Sequence, residues 1–177
     1  MARRVIFSNQ ELGLDEIAAH HASLEQALRE YYSVASPTFV LRHALNSRNE
    51  VESELSTRLA ENDLANALSV LSATEAALRV DYLKRAYGKL KDPLSRAFRK
   101  VYMNKAENAS LEDDILNTWT SVGNMPKHLA GNLKSANNYR HWLAHGRYWT
   151  PQLGRKYDYF TVFGIAEQIF DVIDQHT

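Results

Sequence analysis

The chain has 177 residues, 45% of them hydrophobic, with 21 basic and 21 acidic side chains that cancel to zero net charge. That length buries one sizeable core and reads as a single domain over residues 1–177. The absence of cysteine excludes disulfides, thiolate metal sites and a cysteine nucleophile. No apolar run approaches the roughly 18 residues of a membrane span, and Met1-Ala2-Arg3-Arg4-Val5-Ile6-Phe7 is too short for a signal peptide, so a cytoplasmic protein is expected.

Helical periodicity dominates and no run alternates with period two, which predicts an all-α bundle of about five to seven helices. Ser8 followed by Glu11 forms a possible capping box for a first helix over 12–32, with Ile17, Leu24 and Leu28 inward. Ser36-Pro37 opens a second, through Val40, Leu41, Ala44, Leu45, Val51, Leu55 and Leu59, whose polar middle at 46–49 is a candidate break. His20, His21 and His43 read as surface or satisfied packing residues.

In the third predicted helix Leu64, Leu68, Leu71, Glu75, Leu78 and Tyr82 follow steps of four and three, so Glu75 takes a place reserved for an apolar side chain. A carboxylate there needs a partner. The candidates are an ion pair with Arg79 one turn on, a hydrogen bond from a buried tyrosine, or a supporting role in which Glu75 orients Arg140 or a histidine of the site.

Residues 88–92 interrupt this helix, and Asp92-Pro93 starts a basic helix to about Tyr102. A loop over 104–110 follows. Ser110 with Asp113 caps a short helix holding Leu111, Ile115, Leu116 and Trp119, with Glu112 and Asp113 where the helix dipole favours acids. After the turn Gly123-Asn124-Met125-Pro126 comes the most informative helix. The last helix, over 159–174, carries Phe160, Val162, Phe163, Ile165, Ile169, Phe170, Val172 and Ile173 on more than one face, which predicts a place in the centre of the core or at a subunit contact.

The helix from about Pro126 ends in Asn137-Asn138-Tyr139-Arg140-His141-Trp142-Leu143-Ala144-His145-Gly146-Arg147-Tyr148-Trp149. At about 100° per residue Asn137, Arg140, His141, His145 and Tyr148 share one polar stripe. Ala144 leaves the backbone nearly bare there, and Gly146 suits the left-handed position that ends a helix, which puts His145 in the last turn. Arginine is a permanent cation shaped for phosphate, and histidine is the side chain that exchanges protons near neutrality. His141 and His145 also have the spacing of two zinc ligands on a helix, but Trp142 stands where the usual glutamate would be and no third ligand is evident.

Charge is segregated along the chain. Residues 84–105 hold eight Lys or Arg against Asp92 alone, and residues 127–156 hold six against no acid. If adjacent in the fold they form a basic face beside the motif, fit to follow a phosphate backbone; otherwise they are separate solvated helix faces.

Arg140, His141 and His145 resemble the signature of the HEPN superfamily, the higher eukaryotes and prokaryotes nucleotide-binding domains. In these helical proteins an arginine, a polar residue, several more residues and a histidine mark a metal-independent ribonuclease site. The run Glu75-Ala76-Ala77-Leu78-Arg79-Val80-Asp81-Tyr82 also looks like the acidic and basic helix of such proteins. The resemblance implies an endoribonuclease with Arg140 and His145 catalytic and no metal or cofactor. Asn137, His141 and Tyr148 would position phosphate or ribose, and Glu75 and Arg79 would support them.

The chemistry is attack of the 2′-hydroxyl on the adjacent phosphorus, giving a 2′,3′-cyclic phosphate and a 5′-hydroxyl, with DNA resistant. One proton-transfer histidine leaves the departing oxygen without a donor. A twofold homodimer with a composite cleft supplies a second, as in HEPN ribonucleases; His141 is the alternative within one chain. The resemblance further implies a toxin or antiviral abortive-infection effector held in check by a partner such as a minimal nucleotidyltransferase antitoxin. The competing expectation is a non-catalytic HEPN-like module that dimerises or binds a nucleotide.

Overall fold

Seven α-helices and no strand are found among the described residues, 4–176, of a computed structural model of the chain; Met1, Ala2 and Arg3 of the opening stretch lie outside them. α1 covers Leu14–Tyr31. Its entry is set by Glu16, whose carboxylate accepts the Gly13 N–H at 2.8 Å, and not by the expected Ser8–Glu11 box. Ser8 instead accepts the Gln10 N–H at 3.3 Å. Ile17 is buried as expected, but Leu24 is 39% exposed. The final helix begins beside His21, so Leu24 lies beyond its reach.

α2, Phe39–His43, is a little over one turn, and α3, Arg48–Tyr87, is a single helix of 40 residues, about 60 Å long. The expected break falls at 44–47, closed by a capping box in which Ser47 Oγ accepts the Glu50 N–H and Glu50 accepts the Ser47 N–H at 2.7 Å. The rest of the expected second helix runs into the third without interruption, because Ala60-Glu61-Asn62-Asp63 holds neither glycine nor proline. Val40, Leu41 and Leu45, part of the apolar pattern of the expected second helix, are 74%, 82% and 99% exposed. The inward side of this turn is taken by rings instead, His43 stacking on Tyr32 at 5.4 Å between centroids.

The core forms around the second half of α3, where Val70, Leu71, Leu78 and Tyr82 are almost wholly enclosed by α1, α4, α6 and α7. α4, Pro93–Lys105, starts at Asp92, whose carboxylate accepts the Ser95 N–H at 2.8 Å, and runs past the expected end at Tyr102. A 3₁₀ turn at Ala106–Asn108 follows, and Ser110 then caps a π-helical segment, Leu111–Leu116, that continues into α5, Asn117–Ser121. This segment seats Trp119 with no exposure in the core. α6 is Lys127–Ala144, and α7 is Tyr159–Asp174, capped by Asp158. α7 lines the core through Val162, Ile165 and Ile169, whereas Phe160 is 70% exposed, so the centre of the bundle belongs to α3 and α7 is one of its walls.

α6 runs antiparallel to α3: Arg140 reaches Glu75, and Arg147, just past the helix, reaches Glu61. Of the two alternatives for the basic segments, this pairing argues against a shared face beside the motif. Lys84 lies at the far end of α3 from Glu61, about 35 Å along the helix at 1.5 Å per residue, so residues 84–105 do not flank the end of α6. No helix among the described residues is long and apolar enough to cross a membrane.

Candidate functional site at the end of α6

The last turn of α6 closes by a pair of backbone bonds that glycine makes possible. Gly146 has φ +79°, its N–H reaches Leu143 O, and the Arg147 N–H reaches Trp142 O at 3.1 Å, the bonding pattern of a Schellman end. Gly146 is therefore left-handed as expected, and His145 is the capping residue after Ala144. Arg147 is left-handed too, at φ +56°, an unfavourable state for a side chain of that size. It is held there by a two-pronged ion pair with Glu61 at 2.9 and 3.0 Å. The same bond keeps the Glu61 carboxyl below the usual glutamate range and raises the Arg147 guanidinium.

His141 and His145 stand one turn apart with ring centroids 4.2 Å from each other, and both are exposed. The Trp149 ring lies 5.8 Å from His141, fixed by the bond from Trp142 Nε1 to Trp149 O at 2.7 Å. Below them Tyr139 stacks between Trp142 and Tyr157, and burial raises its phenol above the ordinary value. The histidines thus sit on an aromatic base continuous with the core.

Arg140 leans the other way. Its guanidinium meets Glu75 Oε2 at 3.3 Å while Glu75 Oε1 accepts from Arg79 Nε at 2.8 Å, and Arg79 also donates to Ala109 O. One carboxylate therefore serves both proposed roles of Glu75, the neighbouring ion pair and the support of Arg140, with one oxygen for each. Its side chain is 21% exposed, and Arg79 and Arg140 are each 37% exposed. Arg140 Nε is buried without a partner among the described residues. Asn137 lies on this side as well, with Nδ2 3.5 Å from Glu112 Oε1 and a buried, unpartnered Oδ1.

The expected single stripe is thus divided. Arg140 and Asn137 border α3 and the π-helical segment, the two imidazoles face solvent, and no hydrogen bond or ion pair links Arg140 to either of them among the described residues. Tyr148 is not on the helix at all, since the chain turns away at Gly146, and it is 83% exposed, in a T-shaped contact with Trp149. Glu61 was not foreseen as part of the site, and nothing in the local sequence marks a partner 86 positions from Arg147.

His21 behaves as a satisfied packing residue, bonded to Asp63 at 2.7 Å and stacked on Tyr159 at 3.8 Å. No group of three or more His, Asp or Glu side chains is arranged to hold a metal ion among the described residues. Comparison with protein-family models, with curated proteins and with solved structures finds no match to this chain.

Proposed function

We propose that the chain is a metal-independent endoribonuclease. The observation that carries the proposal is the pair of exposed imidazoles, His141 and His145, with centroids 4.2 Å apart at the end of the helix that also carries Arg140. One imidazole takes the proton of a ribose 2′-hydroxyl, that oxygen forms a bond to the adjacent phosphorus, the bond to the 5′-oxygen breaks, and a second imidazole protonates the leaving oxygen. His145 is the proton-transfer group in this reading, and Arg140 stabilises the negative charge gathered on the phosphoryl oxygens. The second imidazole is that of a twofold mate, brought up along the bare backbone at Ala144, or His141 of the same chain.

Asn137 holds the phosphate or ribose, and Glu75 keeps Arg140 in place with Arg79 as its other partner. The HEPN resemblance of Arg140, His141 and His145 supports the same reading, and with it a cytoplasmic toxin or antiviral effector restrained by an antitoxin partner. His145→Ala and Arg140→Ala are each expected to abolish cleavage of RNA while the helical circular dichroism stays unchanged. Full cleavage by either variant overturns the assignment.

A second reading, a non-catalytic dimerising or nucleotide-binding module, is favoured by one observation: Arg140 and Arg147 each already have a carboxylate partner. Under that reading the wild-type protein cuts no RNA and both alanine variants match it.

A further inference from the structure

Tyr148 is the side chain at this end of α6 whose form has no account in packing. A tyrosine usually buries most of its ring, yet this one is 83% exposed and touches little besides the edge of Trp149, at 4.6 Å and 70°. Its place, by contrast, is closely determined. Before it, Arg147 is clamped to Glu61 in a left-handed conformation that an unrestrained arginine avoids. After it, the Trp149 carbonyl is held by the Trp142 indole and the Trp149 ring lies beside His141. A mobile loop tip would have no use for anchors on both sides of an unsupported ring. A binding platform requires them, because a ring carried on a backbone already held in place loses less freedom when it is covered.

We infer that Tyr148 is a stacking platform for an unpaired nucleobase, so that the substrate class is single-stranded RNA; this rests on the ribonuclease reading above. The Trp149 contact is edge-on and leaves ring surface of Tyr148 open to solvent. A base stacked there belongs to a nucleotide beside the His141–His145 pair. Residues 127–156 contain no acid, the Glu61 carboxylate beside this turn is paired with Arg147, and Arg155 lies over the Tyr157 ring at 4.7 Å. In a duplex each base already has neighbours on both faces, and the ring would have nothing to stack on. Tyr148 is a positioning and specificity residue, and takes no part in proton transfer.

The test uses the whole protein and a fluorescent 2′-O-methyl RNA decamer, which lacks the nucleophile and cannot be cut, as a single strand and as a duplex. Anisotropy is expected to show the single strand bound at least tenfold more tightly than the duplex. Tyr148→Ala is expected to weaken single-strand binding about tenfold or more, and Tyr148→Trp to preserve it. Because the ring is exposed, neither change should move the melting temperature.

Equal affinity of Tyr148→Ala and wild type, equal affinity for strand and duplex, or no binding of the strand by wild type would each overturn the inference. Failure of the nuclease reading looks different: the wild type would bind the decamer through Tyr148 yet leave unmodified RNA of the same sequence intact.

Discussion

Replacing Glu75 by glutamine keeps the shape of the side chain and removes its charge. In the protein that charge answers two guanidiniums, Arg79 at 2.8 Å and Arg140 at 3.3 Å, from a side chain only 21% exposed. Breaking a fully buried ion pair costs about 3–5 kcal/mol and an exposed one about 0–1 kcal/mol. With partners 37% exposed and an amide oxygen still able to accept one bond, the cost here is about 1–2 kcal/mol. For a chain of this length that lowers the melting temperature by about 2–8 °C. Arg140 also loses the group that holds it, and a misplaced cation costs roughly tenfold or more in cleavage rate. Thermal melts and initial cleavage rates on one preparation measure both effects, with Glu75→Lys as the harsher variant. If Glu75→Gln and Glu75→Lys both melt and cleave as the wild type does, the carboxylate neither supports the fold nor orients Arg140, and the reasoning fails.

A Cβ added at Gly123 would lie 2.4 Å from Cε3 of Trp119, whose rigid ring is fully buried. Gly123→Ala is therefore expected to destabilise by about 1–3 kcal/mol, read as a fall in denaturation midpoint with unchanged slope. The Arg147 clamp makes a prediction about pH. Because the folded-state pKa of Glu61 is lowered by its bond to Arg147, its contribution is present above the unfolded glutamate value and is lost as pH falls through the folded value. Carboxyl-carbon NMR is expected to show Glu61 titrating below an ordinary glutamate in the wild type and returning to the ordinary range in Arg147→Gln.

Local chemistry decides several helix ends, although at α1 the Ser8–Glu11 pattern misleads and Glu16 sets the entry. Asp92-Pro93, Ser110 with Asp113 and the start of α7 at Tyr159 all fall where capping side chains put them. Gly146 is left-handed because little else tolerates that position so easily. The partner of Glu75 was open to inference for another reason: a carboxylate on an apolar register needs a cation, and arginines were at hand.

Distance along the chain hid the rest. Glu61 and Arg147 meet only because α6 lies antiparallel on α3, which no local pattern encodes. Antiparallel packing on α3 also carries the end of α6 away from residues 84–105, so that basic segment does not flank the two histidines. Leu41, in the short α2, and Leu45, just beyond it, follow a helical pattern yet face solvent. Tyr148 joins the stripe only if the helical period is carried past Gly146, the glycine that ends the helix.

The most direct test is mass-spectrometric identification of the RNA ends left by purified protein in excess EDTA. The account predicts cleavage giving 2′,3′-cyclic phosphate and 5′-hydroxyl termini from RNA, no product from DNA of the same sequence, and loss of both termini in His145→Ala. Termini of the opposite kind, a 3′-hydroxyl with a 5′-phosphate, or cleavage only when a divalent ion is restored, would contradict it.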